Sequence, residues 1–571
     1  MNGAQAVVQM MEAYSIEYIF GVPGDTSLPL YRALYERRHK IRHVLARDER
    51  SAGFMADAYA RLSHRPGICE CPSGAGPLYA IPGIAEANAS SIPVILITSD
   101  IPLSGEGKQT ITELNCEKLF EPVTKWSYIV KHVGKIPETL RRAFRIATTG
   151  RPGAVHLTFP EEVMTGQMNS GNDDIYAEDE CRRYPAYRTR GNVENIQLLA
   201  DLLVRAKRPV IVTGGGAVHS QAGDIVRSVA ELLSIPVATT ISGQGIMPDD
   251  HPLALGVHAH KAIDEGDTIL YVGCKMGSVS TIKWTKPSLR PDVKILQIDI
   301  DPTMLGNNYE NQLSVAGDAR LVLEDLYALL RQRDDQGPES EWMQELNRFR
   351  DAFWSSSLTQ LESEAVPIKP QRVIHAVNRR LPESAVVISD AGTPTPYITK
   401  FLRLRGGGSR FIIPRAYGGL GYAIPAVVGA FLAMPDARVV GMFGDGSLGM
   451  SAGELETVAR LNVPAVLIHF NNGTFGWIKA LQAIHSGGRF MSVDFTSGDM
   501  SSVAKAFGIE SYRVTTPDEL ESALDTAFSY DGPVFLDVVS ESEVTELPPV
   551  YSWQQGTKTL SPTERKLAKR Q

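Results

Sequence analysis

Residues 439–447 read VVGMFGDGS, an apolar run that leads into a turn containing Asp445. A second apolar run, residues 465–470, leads into a pair of asparagines that ends with Asn472. Both runs have the length and composition of buried parallel strands. The carboxyl ends of such strands meet at one edge of a sheet, and carboxylate and amide oxygens suit Mg²⁺ bound to a diphosphate. The sequence therefore predicts a magnesium and diphosphate site at this edge.

Short apolar runs recur along the whole chain and are separated by helical patterns. Strands that alternate with helices predict parallel, doubly wound sheets of the α/β class. The predicted strands are residues 67–71, 93–98, 154–157, 209–213, 268–272, 294–298, 385–388, 439–443, 465–470 and 534–538.

Two polar stretches, residues 166–195 and 332–341, interrupt this alternation and are predicted to be linkers. They divide the 571 residues into three α/β domains of ordinary size. The predicted domains are residues 1–165, 190–332 and 360–545. A tail, residues 546–571, ends in the basic sequence TERKLAKRQ and is either a frayed end or a lid.

The composition excludes several classes of protein. Hydrophobic residues make up 43% and charged residues 21%, as in globular proteins, and a net charge of −8 provides no positive field for nucleic acid. The cysteines, at positions 69, 71, 116, 181 and 274, form no disulfide framework. Residues 1–21 lack the apolar stretch of a secretion signal, and the apolar runs are too short to cross a membrane. We therefore expect a soluble cytoplasmic protein that binds neither nucleic acid nor membranes.

The order of strand, GDG turn, helix, strand and asparagine pair resembles the cofactor signature of the thiamine diphosphate (ThDP)-dependent acetohydroxyacid synthase and 2-oxo acid decarboxylase superfamily. The resemblance covers nearly the whole chain. It implies that the first domain binds the pyrimidine ring of ThDP, that the central domain resembles nucleotide-binding domains, and that the third domain binds the diphosphate. The Mg²⁺ ligands that it implies are Asp445, the side chain of Asn472 and the carbonyl of Thr474, and the residues against the diphosphate are Gly444, Gly446 and Ser447.

The first domain carries a second motif that resembles this family. Residues 46–61, ARDERSAGFMADAYAR, are similar to the family pattern RHExxAxxxAxxYAR, in which the Glu contacts the pyrimidine ring. Glu49 has the place of that Glu, and Asp48 stands where the family has His. A Glu that shares a proton with ring atom N1′ activates the cofactor for catalysis. The alternative is an ordinary acidic residue at the start of a solvated helix.

Two glycine-rich stretches of the third domain also resemble the family. Residues 390–393, DAGT, resemble a diphosphate loop, and residues 418–426, GGLGYAIPA, resemble the turn beneath the thiazolium ring. By this resemblance Leu420 supports the bent cofactor from below, and the Gly418 carbonyl accepts the 4′-amino hydrogen. A plain glycine-rich turn is the alternative. The resemblance also implies cofactor contacts from Gly392, Thr393 and Gly476.

Candidate substrate residues come from both ends of the chain. Asp25 follows a Pro-Gly pair and resembles the Asp that faces the reacting carbon in pyruvate decarboxylases, where it would act as an acid or base; capping of the next helix is an equal alternative. Glu113 follows Ile-Thr where acetohydroxyacid synthases have Phe-Gln, and Glu113 and Lys125 both match positions of those enzymes. Trp477 and Leu481 follow the asparagine pair, and Leu481 stands where those enzymes place a Trp that selects the acceptor ketone.

The sequence of the central domain leaves open whether that domain binds a second cofactor. Residues 213–219, TGGGAVH, lack the third glycine of the dinucleotide fingerprint. FAD or ADP is conceivable there, although residues 256–264 are shorter than the stretch that contacts the flavin in acetohydroxyacid synthases.

We therefore predict a ThDP- and Mg²⁺-dependent enzyme that decarboxylates a small, pyruvate-like 2-oxo acid and transfers the acyl group to an acceptor carbonyl. The resemblance implies a homodimer or homotetramer with active sites at the subunit interface. One alternative is a decarboxylase or 2-hydroxyacyl lyase that releases an aldehyde. Pyruvate decarboxylases have a Glu where Ile478 stands, and an apolar side chain there favours carboligation. A remote alternative is an inactive regulatory homologue.

Overall fold

The computed structural model describes residues 1–168, 174–256, 259–288, 290–333, 341–405, 410–496, 498–550 and 553. Over these residues the named strands form three sheets, and each pair of neighbouring strands is parallel. The predicted α/β class with three parallel sheets is therefore confirmed. Parts of the two predicted linkers, residues 169–173 and 334–340, and residues 554–571 of the tail lie outside the described residues.

The first sheet has the strand order β2-β1-β3-β4-β6-β5. Its strands are β1 (Tyr18–Gly21), β2 (Arg42–Leu45), β3 (Gly67–Cys71), β4 (Val94–Asp100), β5 (Trp126–Ile129) and β6 (Val155–Pro160). The helices around it are α1 (Gly3–Ala13), α2 (Leu28–Glu36), α3 (Glu49–Ser63), α4 (Ala75–Ala89), α5 (Cys116–Phe120), α6 (Ile136–Thr148) and α7 (Glu161–Thr165). These helices form separate apolar clusters on the two faces of the sheet, so β3 and β4 are buried throughout.

The second sheet has the order β11-β10-β9-β7-β8. Its strands are β7 (Pro209–Thr213), β8 (Val237–Thr239), β9 (Thr268–Val272), β10 (Lys294–Asp299) and β11 (Leu313–Ala316). Its helices are α8 (Val193–Val204), α9 (Gly215–His219), α10 (Gly223–Leu233), α11 (Ala259–Glu265) and α12 (Ala319–Arg331), and α13 (Glu341–Leu361) precedes the third sheet.

The third sheet, β13-β12-β14-β15-β17-β16, repeats the strand order of the first. Its strands are β12 (Val386–Ser389), β13 (Arg410–Ile412), β14 (Val439–Gly444), β15 (Ala465–Asn471), β16 (Glu510–Val514) and β17 (Val534–Val539). Its helices are α14 (Pro370–Asn378), α15 (Pro394–Phe401), α16 (Ala423–Ala433), α17 (Asp445–Ser451), α18 (Leu455–Arg460), α19 (Gly476–His485), α20 (Met500–Ala506) and α21 (Pro517–Ser529).

The first and third domains share one core, in which α3 packs against α16. Gly429 allows this close approach, because a Cβ atom there would lie 2.2 Å from the carbonyl oxygen of Met55. In the same contact, the Tyr422 hydroxyl and the Arg61 Nε both donate to the buried carboxylate of Asp57, the latter over 2.7 Å. A buried charge that is paired and hydrogen-bonded in this way fixes the start of α16 relative to α3.

The five cysteines are all buried and free. Among the described residues, no helix is long and apolar enough to cross a membrane.

Candidate active site

Asp445 lies where β14 ends and α17 begins, at the carboxyl edge of the third sheet. Gly444 pairs in register with Phe470 of β15, so Asp445 lies beside the asparagine pair that follows that strand. One carboxylate oxygen of Asp445 accepts the backbone N–H groups of Asn472 and Gly473 over 3.0 and 3.1 Å. Burial raises the pKa of this carboxyl group. The two strand ends therefore meet as the sequence predicts.

The two asparagines have different environments. Asn471 is buried, and its amide donates to Asp537 over 2.9 Å and to the Gly498 carbonyl over 3.0 Å. Asn472 lies closer to solvent, and its Oδ1 accepts the backbone N–H and the hydroxyl of Thr474, each over 3.2 Å. Asn471 therefore supports the turn, whereas Asn472 presents an amide oxygen beside Asp445.

A cavity opens over these strand ends. It is lined by Pro370, Thr393, Pro394, Tyr397, Gly444, Asp445, Phe470, Asn472, Thr474, Ser540 and Glu543. The set includes the carboxylate of Asp445, the side-chain amide of Asn472 and the backbone of Thr474. Carboxylate, amide and backbone carbonyl oxygens are the ligands that a hard cation such as Mg²⁺ takes. The residues present therefore fit the predicted magnesium site.

Two acidic groups near this cavity, Glu543 and Asp537, belong to none of the sequence motifs. Glu543 follows β17, is 2% exposed, and accepts a hydrogen bond of 2.7 Å from the Asn472 amide nitrogen. Asp537 lies on β17 and accepts from Nδ1 of His469 over 2.9 Å, and the other ring nitrogen of His469 lies 3.6 Å from Asp445. Their place near the carboxyl end of β17 is the signal that could have found them.

The predicted diphosphate loop and glycine turn lie together. Leu420 is in contact range of both loops, because a Cβ atom at Gly446 would lie 3.5 Å from it and one at Gly392 would lie 3.9 Å away. The same added atom at Gly446 would lie 2.4 Å from the Phe475 ring, so a side chain at this position would displace that ring. Leu420 therefore lies between the loops at Gly392 and Gly446.

Asp390 connects the glycine turn to the start of α16 through hydrogen bonds. Its carboxylate accepts the backbone N–H groups of Gly421 and Ala423 over 3.1 and 2.9 Å, and Ser447 also donates to it. Burial raises the pKa of Asp390 to about 7. Gly418 and Gly421 have φ angles of 69° and 85°, so the turn that Asp390 fixes has the left-handed backbone that glycine favours.

Glu49 is the first residue of α3, and Asp48 caps that helix by accepting from the Ser51 N–H over 2.8 Å. The Glu49 side chain is 8% exposed, so it does not lie on a solvated helix start. Burial raises its pKa, and the nearby carboxylates of Asp48 and Glu70 raise it further. A Cβ atom at Gly76 would lie 3.3 Å from Glu49 Oε1, which places the carboxyl group against the start of α4.

The candidate substrate residues of the first domain lie on its surface. Asp25 is exposed and begins a 3-10 helix whose N-cap is Gly24, and Ser27 is the N-cap of α2, so Asp25 caps neither helix. Glu113 is also exposed, and its carboxylate accepts the N–H groups of Gly107 and Thr110. Asp25 therefore caps no helix, whereas the Glu113 side chain stabilises the loop of residues 107–113.

Helix α19 presents the remaining candidates. Gly476 begins the helix, and a Cβ atom there would lie 2.2 Å from the carboxyl group of Glu543. Trp477 and Leu481 are four residues apart and share one helix face, and the Trp477 ring lies 4.6 Å from that of Trp553. Ile478 is 46% exposed beside them.

The glycines of the central domain have a packing role. A Cβ atom at Gly214 would lie 2.3 Å from the Gly273 carbonyl oxygen, and one at Gly216 would lie 2.9 Å from the Gly273 Cα. These glycines therefore let the turn after β7 pack closely against the end of β9.

Comparison with known sequences agrees with this geometry. Residues 1–119, 196–326 and 390–538 match the family models described as thiamine pyrophosphate enzyme N-terminal TPP binding domain, central domain and C-terminal TPP binding domain. Neither these descriptions nor the relatives below indicate FAD.

Several curated proteins are similar over almost their whole length. A protein of Methanocaldococcus jannaschii named "Probable acetolactate synthase large subunit" is 34% identical over 94% of this chain and 92% of its own. The acetolactate synthase large subunit of Haemophilus influenzae is 32% identical over 95% of each chain. The acetolactate synthase of Mycobacterium bovis is 30% identical over 96% of this chain and 90% of its own.

Proposed function

Because the chain belongs to the thiamine pyrophosphate enzymes, within the family of the acetolactate synthase large subunits, we propose that it joins two molecules of pyruvate to form acetolactate and CO₂. The chain is a ThDP-dependent enzyme that catalyses decarboxylation and carboligation. Pyruvate as donor and acceptor is our inference from the names of the relatives. The observation that carries the proposal is the convergence of Asp445, Asn472 and Thr474 on one cavity beside the loop that contains Thr393.

We further propose how the third domain holds the cofactor. Asp445, the Asn472 side chain and the Thr474 carbonyl would bind Mg²⁺, and the loops at Gly392, Thr393, Gly444, Gly446 and Ser447 would hold the diphosphate. When bound, ThDP supplies an electron sink for the negative charge that remains after loss of CO₂. Leu420 would support the ring between the two loops that it contacts, and the Gly418 carbonyl would accept a hydrogen of the amino group.

The first domain would supply the acid–base group. Glu49 is buried, and burial raises the pKa of its carboxyl group, as is common for catalytic acids and bases. Asp25, Glu113, Trp477 and Leu481 are proposed to shape the substrate pocket. Asp25 has the strongest structural support, since its side chain is exposed and caps neither adjacent helix.

The alternatives are not favoured. The named relatives are synthases, and the exposed Ile478 offers no proton where an aldehyde-releasing enzyme would need one. Glu49, Asp445 and Asn472 are all present, which also disfavours an inactive regulatory homologue.

Removal of either cofactor is expected to abolish turnover. Protein dialysed against a chelator should release no CO₂ from pyruvate when ThDP or Mg²⁺ is withheld, and adding both back should restore the rate. The measurement is CO₂ release with each component omitted in turn. Full turnover without ThDP would contradict the proposed function.

We also propose that the enzyme is a homodimer or a homotetramer built from such dimers. The Glu49 carboxyl group lies among the first-domain residues Asp48, Glu70 and Gly76, whereas the cavity at Asp445 is lined by the third domain. Exposed Leu78 and Tyr79 on α4 provide an apolar surface near Glu49. In the proposed dimer the first domain of one subunit faces the third domain of the other.

This arrangement predicts complementation between two inactive variants. Chains with Glu49→Gln and chains with Asp445→Asn each lack one half of the site, but a mixed dimer contains one site with both residues intact. Random pairing in co-expressed protein should restore about one quarter of the parent activity. Activity that stays at the level of the separate variants would show that each chain builds its own site.

The domain limits 1–165, 190–332 and 360–545 remain our proposal and enclose the three family-model matches. The buried free cysteines suit a reducing compartment, so we propose a cytoplasmic location.

A further inference from the structure

Glu543 is a buried carboxylate at the magnesium cavity that neither the sequence motifs nor the proposed ligand set includes. It lies after β17 and lines the cavity together with Asp445 and Thr393. Its Oε1 lies 2.7 Å from the amide nitrogen of Asn472. Its Oε2 is buried and has no hydrogen-bond partner among the described residues. A buried carboxylate in this position requires a functional or structural reason.

The hydrogen bond fixes which way the Asn472 amide faces. The Asn472 amide nitrogen donates to Glu543 Oε1, so the NH₂ side of the amide faces Glu543. The oxygen of Asn472 must then face the opposite side, where it meets the Thr474 backbone at 3.2 Å. This is the oxygen that the proposed magnesium site uses.

Close packing keeps Glu543 in this place. A Cβ atom at Gly476 would lie 2.2 Å from the Glu543 Cδ and Oε1 atoms and 2.3 Å from Oε2. The start of α19 therefore presses against the carboxyl group, and a glycine at position 476 makes room for it. The Thr393 side chain, which also lines the cavity, lies within reach of the same carboxyl group.

We propose that Glu543 is a positioning residue that orients the Asn472 amide so that its oxygen binds Mg²⁺. This inference rests on the proposed function, because it presumes the magnesium site at Asp445 and Asn472. Partners that orient metal ligands in this way commonly change metal affinity by about 10–100-fold when they are removed.

The test is isothermal titration of Mg²⁺ into dialysed protein in the presence of saturating ThDP. Glu543→Gln should raise the Kd for Mg²⁺ about 10–100-fold, because a glutamine amide no longer imposes one orientation on Asn472. Gly476→Ala should have a similar effect, because the added methyl group displaces the carboxylate without removing it. The matched control is Glu541→Gln, since Glu541 pairs with Lys369 over 2.9 Å and does not line the cavity.

A double variant separates positioning from general destabilisation. If Glu543 acts through Asn472, then adding Glu543→Gln to Asn472→Ala should change the Kd no further. The thermal unfolding midpoint without Mg²⁺ and ThDP reports on folding, and Gly476→Ala provides the answer if Glu543→Gln fails to fold. A Kd within twofold of the parent for both variants, or additive losses in the double variant, would overturn the inference. Failure of the parent protein itself to bind Mg²⁺ would instead overturn the proposed metal site.

Discussion

Glu49→Gln is expected to lower kcat by a factor of about 10²–10⁴ while ThDP still binds. The substitution keeps the shape of the side chain but removes the group that would exchange a proton with the pyrimidine ring. Glu49 is buried at the start of α3, and burial raises the pKa of its carboxyl group. The direct measurement is NMR of hydrogen–deuterium exchange at C2 of the bound cofactor, which should slow by a similar factor.

The control for this experiment is Glu138→Gln. Glu138 also lies in the first turn of a helix, but its side chain is exposed and pairs with Lys135. An exposed ion pair of this kind contributes little to stability, so kcat should stay unchanged. If C2 exchange in the Glu49→Gln protein equals that of the parent, Glu49 does not activate the cofactor.

Asp445→Asn is expected to weaken Mg²⁺ binding by more than about 100-fold, which exceeds the usual effect of removing a residue that only orients a ligand. Asp445 is the one carboxylate in the proposed ligand set, so its loss removes the charge that attracts the cation. ThDP binding should weaken in parallel, since Asp445 would hold the cation that neutralises the diphosphate. Calorimetric titration with Mg²⁺, and separately with ThDP, measures both effects.

Asp436→Asn provides the matched control for Asp445→Asn. Asp436 lies in the exposed loop before β14, on the same segment but at the opposite end of the strand. Its replacement should leave both affinities unchanged. Parent-like Mg²⁺ affinity in the Asp445→Asn protein would mean that the cation binds elsewhere.

The central strands of each sheet could be predicted because helices cover both of their faces. The runs at 67–71, 439–443 and 465–470 correspond to β3, β14 and β15, in which nearly every residue is buried. The edge strands were missed. All four residues of β5 are half-buried, and β16 contains the exposed residues Glu510 and Arg513, so neither strand shows a continuous apolar run. The inner strand β1, which has four residues, was missed as well.

The site could be predicted only where neighbouring residues form a motif. Asp445 and Asn472 stand at the ends of adjacent strands, and the structure brings them together. Glu543 belongs to an acidic surface-like stretch, SESEVTE, at residues 540–546, and its burial depends on packing against Gly476. Such a contact joins segments distant in the chain and leaves no local pattern.

Lys125 shows that a match to a family position does not by itself identify a pocket residue. Its position matches the acetohydroxyacid synthases, but its ammonium group donates to the carbonyls of Thr149 and Arg151 over 3.0 and 2.8 Å. Burial lowers its pKa to about 8. A residue type at a matching position therefore does not establish a role in the pocket.

The central claim, carboligation of pyruvate, is tested most directly by NMR analysis of the products. Dialysed protein is incubated with pyruvate, ThDP and Mg²⁺, and the methyl signals are followed over time. The account predicts that acetolactate accumulates as pyruvate disappears, and that nothing forms when ThDP is withheld. Acetaldehyde as the sole product would contradict it and would identify an aldehyde-releasing decarboxylase.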